Sequence, residues 1–174
     1  MNVKLYTLGC KVNQYETEEI TQALLREGFS LTTDDKQADV FVVNSCTVTA
    51  ESDRKTRQLV RKLKRNFPES TVVLTGCMPQ AFPEKAETLT QADVVLGNRT
   101  NTQLVPLLKA YLQTRTRQIC LLPHRTGAPL CGQPLTHAPE PTRPHLNTTD
   151  CRYRFLPYST SLHRPGRSRP RPPR

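Results

Sequence analysis

With 174 residues, 25 lysines and arginines against 15 acids, and 15 prolines, the chain has room for one compact domain and a basic remainder. No run approaches the ~18 apolar residues of a membrane span, and Met1 leads into a strand-like segment containing Lys4, so neither a secretory leader nor a membrane partner is expected, and the expected location is cytoplasmic. In a reducing compartment, the six cysteines read as free thiols or metal ligands, not as disulfides.

Residues 3–8 (VKLYTL) form a short β-rich run. Residues 13–29 follow with Tyr15, Ile20, Ala23, Leu24 and Phe29 near one helical face and close on Gly28, which predicts strand then helix. Residues 39–43 (DVFVV) are apolar almost throughout, as in a parallel strand covered on both faces, and a charged helical stretch runs from about residue 50 to 66, ahead of Pro68. Residues 71–74 (TVVL) predict a third strand, 80–89 a helix, 93–96 (DVVL) a fourth strand, and 102–112 a last helix with Leu104, Leu107, Leu108 and Leu112 on its inner side. Helical crossovers of this length force parallel pairing. The expected fold is therefore α/β, a parallel sheet with flanking helices of Rossmann-like or flavodoxin-like character, over residues 1–115.

Composition changes sharply beyond that point. From Cys120 onward the chain holds 11 of the 15 prolines, nine arginines, no lysine and only Glu140 and Asp150 as acids. Such a segment buries too little apolar surface to offset its ordering entropy, so residues 116–174 are expected to be a linker and a disordered basic tail rich in proline and arginine. The net charge divides accordingly: 16 basic against 13 acidic residues before Cys120 give +3, and the tail supplies +7 of the total +10. Within the domain, Arg54, Lys55, Arg57, Arg61, Lys62, Lys64 and Arg65 share one helix with Glu51 and Asp53 opposing them. A basic helix holds phosphates by charge, or is simply a solvated face.

Three cysteines stand where strand-like runs give way to helix-like ones: Cys10, Cys46 and Cys77. In an alternating β/α chain all such loops emerge at the carboxyl ends of the strands, the edge where open α/β sheets bind ligands. Zinc ribbons bring their cysteines in close pairs, which this domain lacks, whereas an iron–sulfur cluster accepts thiolates from separate loops, and three of them leave one iron free. Taken singly, each cysteine also reads as a small buried hydrophobe. Gly9 and Gly76 precede two of the cysteines and suit tight β/α turns or a close approach of amides to sulfur. Asn13, Asn44 and Ser45 suit helix caps or donors toward a ligand, and Gly97, Asn98 and Arg99 suit a turn at the same edge. No strand is followed by G-x-G-x-x-G or a phosphate-binding loop, which places a nucleotide-binding module low.

Residues 7–17 (TLGCKVNQYET), 43–50 (VNSCTVTA) and 74–80 (LTGCMPQ) closely resemble the three cysteine motifs of the amino-terminal domain of tRNA methylthiotransferases, a radical S-adenosylmethionine family. The resemblance covers residues 1–115 and looks most like the MtaB type, which methylthiolates N6-threonylcarbamoyladenosine beside the anticodon; the branch acting on isopentenyladenosine is the alternative. The resemblance implies that Cys10, Cys46 and Cys77 ligate an auxiliary [4Fe-4S] cluster whose free iron carries the sulfur to be transferred. It further implies a tRNA anticodon stem-loop as substrate and a sulfur donor or iron–sulfur assembly machinery as partner. In the family a following barrel holds a second [4Fe-4S] cluster through Cys-x-x-x-Cys-x-x-Cys and cleaves S-adenosylmethionine.

Here the sequence departs from the family. Near Cys151 (CRYRFLPY) no cysteine follows at the fourth or seventh position, so the second cluster has no ligand set and the chain alone is expected to be inactive. The family word Cys-Ile-Val-Pro, encoded TGC ATC GTC CC, reads CTG CAT CGT CCC when started one base earlier. Those codons spell Leu-His-Arg-Pro, residues 162–165 here. The tail is thus read as an out-of-frame start of the barrel domain, a hypothesis that resequencing the locus tests; an intact frame encoding this tail, with the protein detected, overturns it. Cys120 and Cys131 are left as unassigned thiols, and His124 and His137 without a supporting fold give no zinc site. A non-catalytic RNA- or protein-binding α/β fragment is the competing reading.

Overall fold

Alternation of apolar runs with amphipathic ones produces a sheet in which every ladder is parallel. The computed structural model describes residues 1–47 and 50–121. β1 (Asn2–Thr7) leads to α1 (Lys11–Arg26), then β2 (Ser30–Leu31), a single 3-10 turn at Asp35–Gln37 and β3 (Val40–Ser45). α2 (Ala50–Asn66) and β4 (Thr71–Gly76) follow, then α3 (Cys77–Ala81), α4 (Pro83–Glu87), β5 (Val94–Leu96), a 3-10 segment Asn98–Gln103, α5 (Leu104–Thr114) and β6 (Gln118–Cys120). The strand order is 2-1-3-4-5-6. Its first five places match the flavodoxin-type order, so the α/β expectation is borne out and the topology is of the doubly wound kind.

The sheet separates two apolar layers. On one side Val3, Val40, Val42, Val73, Val94 and Leu96 pack with Ile20 and Leu24 of α1 and Leu104 and Leu108 of α5. On the other, Phe41, Val43, Val72, Leu74 and Val95 pack with Val60 and Leu63 of α2 and with Met78, Ala86 and Leu89 around α3 and α4. β3 and β4 are buried at all six positions, as central parallel strands covered on both faces must be.

Three expectations are corrected. The helix foreseen over residues 80–89 is two short helices, because Pro83 lacks an N–H and pushes Phe82 out of the helical region, to φ −129° and ψ 70°. The helix foreseen over 102–112 begins at Leu104, after a 3-10 segment. Two strands, β2 and β6, were not foreseen; they lie at the sheet edges, are two and three residues long, and carry no alternation to read. β6 continues the sheet past residue 115, pairing Gln118 with Val94 and Cys120 with Leu96. The linker and basic tail, with Cys131 and Cys151, lie outside the described residues. Among the described residues, no helix is long and apolar enough to cross a membrane.

Candidate functional site

The three motif cysteines leave three adjacent strands at one edge. β3 is hydrogen-bonded to β1 on one side and β4 on the other, with Thr7 opposite Asn44, Asn44 opposite Thr75, and Ser45 opposite Gly76. Cys46 and Cys77 each follow directly on that last matched pair, and Cys10 comes three residues after Thr7. Neighbouring strands run about 4.8 Å apart, so the three chain exits are neighbours in space although they are far apart in sequence. The strand order also reverses between β1 and β3, and a crevice at such a reversal is where doubly wound sheets bind their ligands.

Cys46 and Cys77 are buried and Cys10 is exposed. Cys10 caps α1 in an extended conformation, φ −90° and ψ −178°, and its carbonyl accepts from the Gln14 amide at 3.2 Å. The Cys46 thiol lies within hydrogen-bonding reach of it and, together with desolvation, pushes the Cys10 thiol far above its ordinary range. The backbone amides of Asn13 and Val12 act in the opposite direction, toward the thiolate.

A buried amide network ties the junctions together. Asn13 Oδ1 accepts from the Cys10 amide at 3.2 Å and from Cys10 Sγ at 3.4 Å. Its Nδ2 donates to Asn44 Oδ1 at 3.2 Å and to the Ser45 carbonyl at 3.1 Å. Asn44 Nδ2 returns a bond to the Asn13 carbonyl at 2.9 Å and another to Thr17 Oγ1 at 3.1 Å. Both asparagines are essentially inaccessible to solvent, so each bond made is a desolvation penalty avoided.

Two glycines allow this packing. Gly9 sits at φ +144°, where an added Cβ would stand 2.4 Å from Asn13 Oδ1 and 2.5 Å from Cys46 Cβ. At Gly76, φ +100°, a Cβ would meet the Ser45 carbonyl at 2.3 Å and Asn44 Oδ1 at 2.5 Å. Backbone at these two positions is pressed against the neighbouring junction, which no side chain would permit.

Of the other residues foreseen at this edge, Ser45 Oγ donates to the Thr75 carbonyl at 2.7 Å and so stitches β3 to β4. Gly97 begins the 3-10 segment, and its carbonyl accepts from the Thr100 amide at 3.0 Å, a turn role. Cys120 Sγ donates to Gln103 Oε1 at 3.3 Å, away from the motif cysteines in the chain and in the sheet order. On α2, Glu51 pairs with Arg54 at 2.8 Å and Lys55 at 3.8 Å, Asp53 pairs with Arg57 at 3.5 Å, and Lys64 reaches Asp93 at 2.9 Å. Arg61, Lys62 and Arg65 remain exposed.

Sequence reasoning missed Thr17, Thr75, Gln80 and Asn101. The Thr75 hydroxyl donates to Asn101 Oδ1 at 2.6 Å, and Gln80 Oε1 lies 2.1 Å from where a Gly97 Cβ would be. A polar residue closing an apolar strand, as Asn44 and Thr75 do, was the available signal. Three thiols follow three adjacent strands, and thiolates are the donor type that iron–sulfur clusters take. Among the described residues, no three His, Cys, Asp or Glu side chains are gathered closely enough to hold a metal ion as they stand.

Residues 2–97 match the sequence profile of uncharacterized protein family UPF0004. The threonylcarbamoyladenosine tRNA methylthiotransferase MtaB of Aquifex aeolicus (strain VF5) is 36% identical over 119 residues, covering 68% of this chain and 29% of that protein. The MtaB protein of Bacillus subtilis (strain 168) is 36% identical, covering 65% and 25%, and that of Thermotoga maritima (strain ATCC 43589 / DSM 3109 / JCM 10099 / NBRC 100826 / MSB8) is 38% identical, covering 55% and 21%. The chain thus spans less than a third of the length of these relatives. On the profile match and these identities, the chain belongs to family UPF0004 as an MtaB-like amino-terminal domain.

Proposed function

We propose that this chain is the cluster-holding part of a tRNA methylthiotransferase acting on N6-threonylcarbamoyladenosine next to the anticodon, with Cys10, Cys46 and Cys77 as the three protein ligands of an auxiliary [4Fe-4S] cluster. The observation that carries the reading is the arrival of all three cysteines on adjacent strands at the carboxyl edge, two of them at the point of strand reversal. When bound, such a cluster supplies the sulfur for transfer.

The chain's own residues prepare the place. Cluster ligands bind as thiolates, so loading releases the thiol protons, and the Val12 and Asn13 amides favour the charged form at Cys10. Gly9 and Gly76 bring the junctions close, while burial of Cys46 and Cys77 keeps water from one side of the site. The exposed Cys10 side is where tRNA and a cluster-loading or sulfur-donating partner would approach. A second cluster and S-adenosylmethionine would belong to the longer family protein, and no methylthiolation is expected from this chain alone.

Anaerobic reconstitution with iron and sulfide tests the assignment. Wild type should take up roughly four irons per chain with charge-transfer absorption and an EPR signal on reduction, and Cys46→Ala should lose most of both. Equal iron in Cys46→Ala, or none in wild type, overturns the assignment. Exposed Arg61, Lys62 and Arg65 favour one second reading, a non-catalytic RNA-binding fragment. It predicts salt-steep RNA affinity in a protein that holds no iron.

A further inference from the structure

We infer that Asn13 and Asn44 form a positioning clasp that sets the Cys10, Cys46 and Cys77 junctions relative to one another; the inference rests on the reading of these cysteines as cluster ligands. Asn13 Oδ1 accepts from both the amide and the sulfur of Cys10, at 3.2 and 3.4 Å. The same side chain donates to the carbonyl of Ser45, the residue directly before Cys46, at 3.1 Å. One amide therefore fixes the separation of two cysteine-bearing exits. Asn44 Oδ1 accepts the other Asn13 proton and also lies 2.5 Å from where a Cβ on Gly76 would be, so the backbone immediately before Cys77 rests on the same amide group. Asn44 Nδ2 closes the loop by donating to the Asn13 carbonyl and to Thr17 Oγ1.

Helix capping accounts for only part of this arrangement. The bond from the Cys10 amide to Asn13 Oδ1 is part of a capping box on α1, but five of the seven bonds made by the two side chains cross between α1 and the end of β3. The two asparagines are 0% and 1% accessible, so the clasp cannot exchange its bonds for water without opening the edge. Residues that orient ligands in this way govern cofactor affinity without touching the cofactor themselves.

The test reads the distance between thiols without requiring a cluster. Full-length protein, reduced and then treated with the diazene oxidant diamide, forms a Cys10–Cys46 disulfide as two thiol hydrogens pass to the diazene; peptide mapping measures its rate. Asn13→Ala should slow that rate by about tenfold or more, since it removes the orientation that makes the pair effectively concentrated. Asn44→Asp, which keeps the Oδ1 acceptor and loses both donors, should give a smaller slowing and serves if Asn13→Ala does not fold.

Asp93→Asn, at the opposite edge, is the control for generic destabilisation: it should lower Tm without changing the cross-linking rate at temperatures where it is folded. Folded Asn13→Ala or Asn44→Asp protein cross-linking within twofold of wild type overturns the clasp. Iron uptake separates the two ideas. A clasp-dependent cross-link in a protein that takes up no iron sinks the cluster assignment alone, whereas undiminished iron in Asn13→Ala sinks the clasp alone.

Discussion

At the scale of single residues, the site is expensive to build and correspondingly intolerant. Gly76 combines a positive φ with a backbone oxygen 2.3 Å from the position of any Cβ, and a carbonyl within a sheet cannot move aside. Gly76→Ala should therefore cost about 2–4 kcal/mol, measurable by urea denaturation. Gly97→Ala is the informative contrast. Its φ of −84° suits any residue, and the atom it would meet is the end of the Gln80 side chain and not backbone, so the expected loss is smaller, about 1–2 kcal/mol. Equal losses at the two glycines would mean that crowding by backbone is not what matters at this edge. Little of this was readable from the chain: Gly9-Cys10 and Gly76-Cys77 advertise turns, but Cys46, which crowds Gly9, and Asn44 and Ser45, which crowd Gly76, lie 31 or more positions away in sequence.

Between elements, Asp93 is a junction away from the cysteine edge. Entering β5, it accepts from the Val72 amide at 2.8 Å, from Lys64 Nζ at 2.9 Å and from Tyr111 Oη at 2.9 Å, and so connects β4, α2 and α5. Asp93→Asn should cost about 1–3 kcal/mol, because a partly buried ammonium and a buried amide lose a charged acceptor together. Burial first, then the Asp93 carboxylate, raises the Tyr111 phenol above its usual value near 10. A group whose folded value is raised stabilises the fold below its unfolded value and loses that contribution as pH rises through the folded one. Stability should thus decline above about pH 10, less steeply in Tyr111→Phe, as thermal melts across pH 9–12 would record.

The elements legible in the sequence were those with a strong period: DVFVV and TVVL for strands buried on both faces, and the charged run of α2 with Val60 and Leu63 turned inward. β2 and β6 were invisible because edge strands of two or three residues with exposed Leu31 and Ile119 have no alternation. Cysteine placement was legible because the change from strand to helix period falls at each thiol. The clasp was not, because Asn13 and Asn44 meet only through the parallel pairing of β1 with β3.

At the scale of the molecule, the sheet is closed by a strand that composition assigned to a linker. Arg117, just before β6, donates to the carbonyls of Ala92, Glu87, Ala86 and Leu89, at 2.9, 2.8, 3.2 and 3.0 Å, and holds down the end of α4 and the loop into β5. Ending the chain at residue 115 removes these bonds and the β5–β6 ladder, a loss of about 3 kcal/mol or more. A fragment of residues 1–115 should therefore melt on the order of 10–20 °C below one of residues 1–121 by circular dichroism. Identical melting would show that β6 is not part of the cooperative unit.

β3 is buried on both sides along its whole length, and that has a consequence for how its phase is chosen. A strand with one wet face punishes a one-residue slip by exposing its greasy side, but VFVV looks the same to the two layers it separates and offers no such penalty. Polarity enters only at its end, where Asn44 finds its amide partner in a single alignment. A one-residue deletion within VFVV would leave the apolar content nearly intact yet aim Cys46 to the other side of the sheet, giving a protein that folds but has lost the address of its sulfur.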